Sequence, residues 1–205
     1  MIKKEDFSCP KCRHKNRVKI IETVEKDKIA KVIDKSIFKQ ECKKCHEIIS
    51  VEYPLKVQGN EYLIYYTPGK NLALEKNTSK INRVCDTFED LKEKILILED
   101  DLNDIIIEVV KDEIKNNLDQ LDIKNIDDLE RIRYNSKNEK YLNFSLVGIG
   151  KLVGFEIIKY QNLVKKIKIK KIDKSVLIDE YTYKNYIRRG NYEITNKKRF
   201  SFFKW

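Results

Sequence analysis

Two cysteine pairs of identical spacing, "CPKC" (Cys9, Cys12) and "CKKC" (Cys42, Cys45), constrain this chain more than any other feature. A Cys-x-x-Cys turn brings two sulfurs to about 2.3 Å from one ion, with backbone amides directed at them, and a second such turn closes the tetrahedron. Four thiolates leave no position for water, so the spacing predicts one structural Zn2+ that stabilises folding and carries out no reaction. Pro10 stiffens the first turn. A thioredoxin-type dithiol needs one pair at the start of a helix and does not account for two. His14 and His46 each follow a pair closely. Both are read as loop residues beside the sulfurs, since four cysteines already fill the shell. Cys85 stands apart and reads as a small buried apolar residue.

Hydrophobic spacing organises the rest. "RVKIIETV" and "EYLIYYTP" alternate as strands do, "SIFKQ" and "IISVEYPL" flank the second pair as strands, and "KINRVC" is placed to pair with "EYLIYYTP". "EKDKIAKVIDKS" puts Ile29, Val32 and Ile33 on one face of a short helix. At "TFEDLKEKILIL" Thr87 and Asp90 form a near capping box that starts a helix. A second helix follows, with Leu102, Ile105, Ile106, Val109, Val110 and Ile114 as its buried stripe and Asp101, Asp104, Glu108 and Asp112 outside. Turn-forming residues accumulate after residue 117, which sets a boundary between residues 1–117 and 118–205. Beyond it, "KYLNFSLVG" and "LVGFEIIKY" read as strands paired around Gly148 and Gly150. "LVKKIKIKKI" reads as a further strand, "VLIDEYTYKNYIRR" as a helix and "NYEITNKKRFSFFKW" as strand-like. The predicted class is α+β: a four-cysteine, zinc-ribbon-like antiparallel sheet, then a helix pair, then a mainly-β C-terminal region.

The knuckle segments, together with "VEYPLKVQGNEYLIYY" and "CDTFEDLKEKILILEDDLNDIIIEVVK", resemble the bacterial CpXC domain family over residues 7 to about 112. The resemblance implies that Cys9, Cys12, Cys42 and Cys45 are zinc ligands, and it implies no activity. The chain departs from the family pattern at Lys43, where a second proline is expected, and at Arg13 and His46, where glycine follows each pair.

Function classes are narrowed by what is missing as well as by charge. No apolar run approaches the roughly 20 residues of a bilayer span, and no apolar segment follows "MIKKEDF", so the expected location is a reducing cytoplasm. The Lys-, Ile- and Asn-rich composition suggests an AT-rich bacterial or mobile-element gene. No phosphate-binding glycine loop, His-Glu-x-x-His or nucleophile elbow is present, and the acidic clusters at Glu99–Asp101 and Ile126–Asp128 read as caps and solvated surface. No enzyme is expected.

The net charge of +10 is segregated. Residues 1–85 hold 19 basic and 11 acidic side chains, 86–139 hold 8 and 17, and 140–205 hold 16 and 5. Lys166, Lys168 and Lys170 would line one face of a strand at intervals of about 6.8 Å, near two phosphate steps of about 3.4 Å each. Arg188, Arg189, Lys197, Lys198 and Arg199, interleaved with Tyr192, Phe200, Phe202, Phe203 and Trp205, would add cations and stacking faces. These features point to a nucleic acid or nucleoprotein partner. The alternative is a protein-binding adaptor or inhibitor that uses the acidic helix pair or the basic face against another protein.

Overall fold

The computed structural model describes residues 2–69, 80–121, 123, 125–172, 176–188 and 203–204. It is a mixed α+β structure that divides into two compact units, Met1–Lys92 with Lys174–Val176 and Glu93–Asp173 with Leu177–Trp205. Compactness thus divides the chain between Lys92 and Glu93, within a helix, where the turn-forming residues suggested a boundary near 118.

In the first unit, β1 (Ile2–Ser8) and β2 (Lys15–Ile21) form an antiparallel ribbon that ends in the first cysteine turn. The strand β3 (Thr23–Glu25) follows, then a 3₁₀ turn and α1 (Ile29–Ile33), which buries Ile29 and Val32 as the spacing predicts. A second antiparallel ribbon, β4 (Lys39–Glu41) with β5 (Ile48–Ser50), carries the second cysteine turn. Beyond it, β6 (Leu55–Gln58), β7 (Tyr62–Tyr66) and β8 (Ile81–Cys85) join β3 in a four-stranded sheet of order β3-β6-β7-β8.

This sheet is mixed. β6–β7 is antiparallel, but β3–β6 and β7–β8 are parallel, which alternation alone cannot reveal because it fixes faces and not strand directions. The far side of β8 is met by a second parallel partner, Val176, whose carbonyl accepts from Val84 N–H at 3.1 Å. Phe38 anchors the core here, with the rings of Tyr53, Tyr66 and Phe88 edge-on at 5.1–5.9 Å.

The helix α2 (Phe88–Glu99) begins as expected: Thr87 Oγ1 accepts from Asp90 N–H at 3.2 Å and donates to the Asp90 carboxylate at 2.6 Å. The helix α3 (Asp104–Asn116) starts at Asn103, whose Oδ1 accepts from the Ile105 and Ile106 amides, a cap worth about 1 kcal/mol.

The acidic face of α3 is a correction. Asp104 and Glu108, expected outside, are 2% and 3% exposed. They are inside because cations are inside with them: Lys94 meets Asp104 at 3.0 Å, Lys111 meets Glu93 at 2.7 Å and Glu108 at 2.9 Å, and Arg133 meets Glu93 at 3.3 Å. Lys94 also donates to Ile178 O at 2.9 Å, and Glu93 accepts from Tyr134 N–H at 2.6 Å. Three acids and three bases thus face one another, which meets the condition for burying charge at all.

The second sheet comprises β9 (Arg131–Lys137), β10 (Tyr141–Val147), β11 (Lys151–Glu156) and β12 (Phe203–Lys204), in the order β12-β11-β10-β9. The β10–β11 pairing turns at Gly148 and Gly150, both at positive φ, as the sequence predicts. β9 was concealed among the turn-forming residues around it, although Ile132 and Tyr134 alternate inward.

Two further expectations are corrected. "LVKKIKIKKI" is not a strand at its start: α4 (Ile157–Lys166) follows β11 directly and runs through Lys166, because Tyr160, Leu163 and Ile167 fall at helical spacing and are buried. "VLIDEYTYKNYIRR" is not a regular helix. The Asp179 carboxylate accepts from the Tyr181 and Thr182 amides, which commits the backbone to a turn, and only a 3₁₀ turn follows at Tyr183–Tyr186. Among the described residues, no helix is long and apolar enough to cross a membrane.

Candidate metal centre

Both cysteine turns have the same backbone. Cys9 N–H donates to His14 O at 2.9 Å and Arg13 N–H to Cys9 O at 2.8 Å; in the second turn Cys42 N–H donates to Glu47 O and His46 N–H to Cys42 O, each at 2.9 Å. Arg13 and His46 occupy equivalent positions and both have φ 58°. The turn therefore demands the left-handed conformation that glycine adopts freely, and two bulky residues supply it. Arg13→Gly is expected to raise the stability of the metal-loaded chain by about 0.5–1 kcal/mol, read from denaturant unfolding. Arg13→Ala, which keeps the strained φ, is the control.

The turns face each other across an approximate two-fold relation. Cys9 Sγ lies 3.7 Å from Cys45 Sγ and Cys12 Sγ lies 3.6 Å from Cys42 Sγ, and all four sulfurs fall within 4.8 Å of one another. Cys9 and Cys42 are fully buried and Cys12 and Cys45 half-buried, with Phe7, Ile49 and Val51 packed against them. Hydrogen bonding from the Cys45 backbone N–H lowers the Cys42 thiol to about 5, the first of several such donors. At Cys45 a hydrogen bond from the Glu47 backbone N–H is outweighed by burial and the neighbouring sulfurs, and the thiol is pushed up to about 12. A cation at the centre would balance the charge of four thiolates brought this close together. The cluster can hold a metal ion.

His46 turns outward, 75% exposed, with Nδ1 2.6 Å from Glu41 Oε1, and His14 contributes its backbone carbonyl to the turn. Asn16 was not singled out by sequence reasoning. It is 5% exposed and contacts both turns: Nδ2 donates to His14 O at 3.0 Å and to Cys42 Sγ at 3.5 Å, while Oδ1 accepts from Lys43 N–H at 3.0 Å. Its position four residues after Cys12 was visible, but asparagine is ordinarily a surface residue and nothing in the sequence marks it as buried. Cys85 is buried in β8, away from the cluster. The carboxylates of Glu99–Asp101 and Ile126–Asp128 form no metal-ligating group with one another among the described residues.

The basic residues are arranged differently from the predicted row. Lys166 ends α4, and a short antiparallel pairing follows in which Ile169 bridges Ile187. Arg188 N–H donates to Lys168 O at 2.9 Å and Lys170 N–H to Tyr186 O at 2.7 Å. Lys168 and Arg188 are thereby neighbours, and strand alternation puts them, with Lys170, on the face opposite the two isoleucines. All three are exposed, although Lys170 Nζ also donates to Asn185 O at 2.7 Å. Lys184 is engaged by Asp112 at 3.1 Å. Arg189, Lys197, Lys198, Arg199 and Trp205, with Tyr192, Phe200 and Phe202, lie outside the described residues.

Two knuckle hairpins that bring four sulfurs together define a mixed α+β protein with a four-cysteine site able to hold a metal ion. The chain belongs to the CpXC protein family, whose model matches residues 7–111 and so spans both knuckles, the mixed sheet, α2 and most of α3. Neither a curated protein nor a solved structure matches it.

Proposed function

We propose that this is a non-catalytic binding protein, stabilised by one structural zinc, that holds a nucleic acid or nucleoprotein complex through the basic face that carries Lys168, Lys170 and Arg188. Zinc is favoured by the sulfur spacings: a tetrahedral ion with bonds of about 2.3 Å requires S···S separations of about 3.8 Å, against 3.6 and 3.7 Å between the facing pairs. A full thiolate shell leaves the ion without an open position, so its role is structural.

The observation that carries the binding reading is the exposed cluster of Lys168, Lys170 and Arg188, the first two of which lie within a stretch, 157–172, that contains six lysines and no acidic residue. Cations grouped in this way attract a polyanion over distances near the Debye length. The buried acids of 93–108 do not compensate them, being matched by Lys94, Lys111 and Arg133.

The test is a salt titration of binding to a duplex and to a single strand. Replacing Lys168, Lys170 and Arg188 together by glutamine is expected to weaken binding. It should also flatten the log–log salt slope by about 0.9 per lost contact on duplex and about 0.7 on single strands. Folding stability is expected to stay within about 0.5 kcal/mol, since exposed side chains are exchanged. An unchanged slope rejects the phosphate track and leaves the protein-binding adaptor as the function to pursue.

A further inference from the structure

The two knuckles share a backbone but differ in one residue that touches the sulfurs. Counting from the first cysteine of each turn, Asn16 and Ile49 occupy equivalent positions. Both are buried, and both belong to the strand that leaves the knuckle, β2 or β5. Ile49 packs against the cluster as an apolar wall. Asn16 brings a primary amide to the same place, so the approximate two-fold relation of the hairpins is broken at one sulfur, Cys42.

The orientation of that amide follows from its partners. Lys43 N–H is a donor and needs Oδ1 opposite it, and His14 O is an acceptor and needs Nδ2. A flipped amide would oppose donor to donor and acceptor to acceptor. With Oδ1 committed to the second knuckle and Nδ2 to the first, the remaining Nδ2 hydrogen is directed at Cys42 Sγ, 3.5 Å away. One side chain therefore spans both turns and donates to a ligand.

We propose that Asn16 is a positioning residue of the metal centre, which fixes the two knuckles against each other and holds the Cys42 thiolate in place through an N–H···S hydrogen bond. This rests on the four cysteines binding a metal. The donor partly neutralises charge that accumulates on sulfur when four thiolates share one dication, and it fixes the direction of the Cys42 side chain. Because the amide is neutral and buried, it does so without adding a charge to the site. Loss of such outer-shell partners typically weakens metal affinity about 10- to 100-fold.

The test uses the full chain loaded with cobalt(II) or with spin-active cadmium. Asn16→Asp keeps the acceptor for Lys43 N–H and exchanges the donor at Cys42 for a carboxylate oxygen. It is expected to shift the sulfur-to-cobalt charge-transfer band and to speed cobalt transfer to excess chelator about 10- to 100-fold. The wild-type cadmium form needs no substitution, so it answers even where the variant does not fold. There, the Asn16 amide proton is expected to show scalar coupling to the metal through the N–H···S bond. An Asn16→Asp variant with an unchanged band and release rate, or a wild type without that coupling, overturns the role of Asn16 and leaves the metal site standing. A wild-type chain that takes up neither ion overturns the metal reading and this inference with it.

Discussion

Chelation of the metal, or Cys42→Ser, is expected to unfold the knuckle region of residues 1–58, with one zinc per chain found by elemental analysis beforehand. The size of the effect follows from how little else joins the two ribbons. β1–β2 and β4–β5 are two-stranded, and isolated hairpins are marginal at best in water. Structural zinc contributes on the order of 10 kcal/mol in small domains, which is comparable to the whole stability of a typical domain at about 5–15 kcal/mol. Hydrogen exchange after chelation is expected to lose protection first in β1, β2, β4 and β5. The β9–β10–β11 sheet, whose apolar face is formed by Ile132, Tyr134, Leu142, Phe144, Leu146, Val153 and Phe155, is expected to stay protected. No zinc, or a Cys42→Ser variant with unaltered exchange, would remove the structural role; simultaneous loss in both regions would show that the two melt as one.

Lys111→Met is expected to cost about 3–5 kcal/mol, because breaking a buried ion pair leaves its partner charged and dry. Lys111 serves both Glu93 and Glu108, and among the described residues only Glu93 has a second cation, Arg133, within ion-pair distance. The companion variant Glu108→Gln/Lys111→Met removes the stranded charge and is expected to recover a substantial part of the loss. Urea unfolding at neutral pH measures both. A single-variant loss below about 1 kcal/mol would place the network in the same class as surface ion pairs.

The sign of the pH dependence is also fixed. Burial works to lower the pKa of Lys111, but Glu93 and Glu108 outweigh it and hold the pKa above its usual 10.5. A raised folded-state value means that this contribution is fully present below pH 10.5 and is lost as pH rises through the folded value.

What could be read from the sequence followed from local rules. The cysteine turns, the Thr87–Asp90 start of α2, the buried face of α1 and the Gly148–Gly150 turn each depend on a few adjacent residues, and each was legible. What depended on distant partners was not. Asp104 and Glu108 looked like a solvated face because nothing at their own positions says that Lys94 and Lys111 are turned toward them. The parallel pairing of β7 with β8 is likewise a property of how the chain returns. Lysines at 166, 168 and 170 match a strand and a helix end equally well over so short a span; the burial of Tyr160 and Leu163 puts Lys166 in the helix, while Lys168 and Lys170 follow it in the short pairing around Ile169. At the candidate metal centre all four sulfurs were legible, whereas Asn16 was not, because its contacts are defined by where two turns meet.

The parallel contact between β8 and Val176 has a consequence for biosynthesis. Val176 belongs to the same compact unit as β8 yet is translated about ninety residues after Arg83, its partner in the bridge. At about 5–20 residues per second a ribosome needs several seconds to cover that interval, during which the knuckles, the mixed sheet and α2 emerge without it. The nascent chain therefore presents the outer edge of β8 as an open pairing template, the kind of edge that attracts other strands. A recombinant fragment trimmed to the family-matching residues 7–111 would keep that edge permanently bare. Such a fragment would retain every sulfur and still lack the bridge that Val176 makes to Arg83.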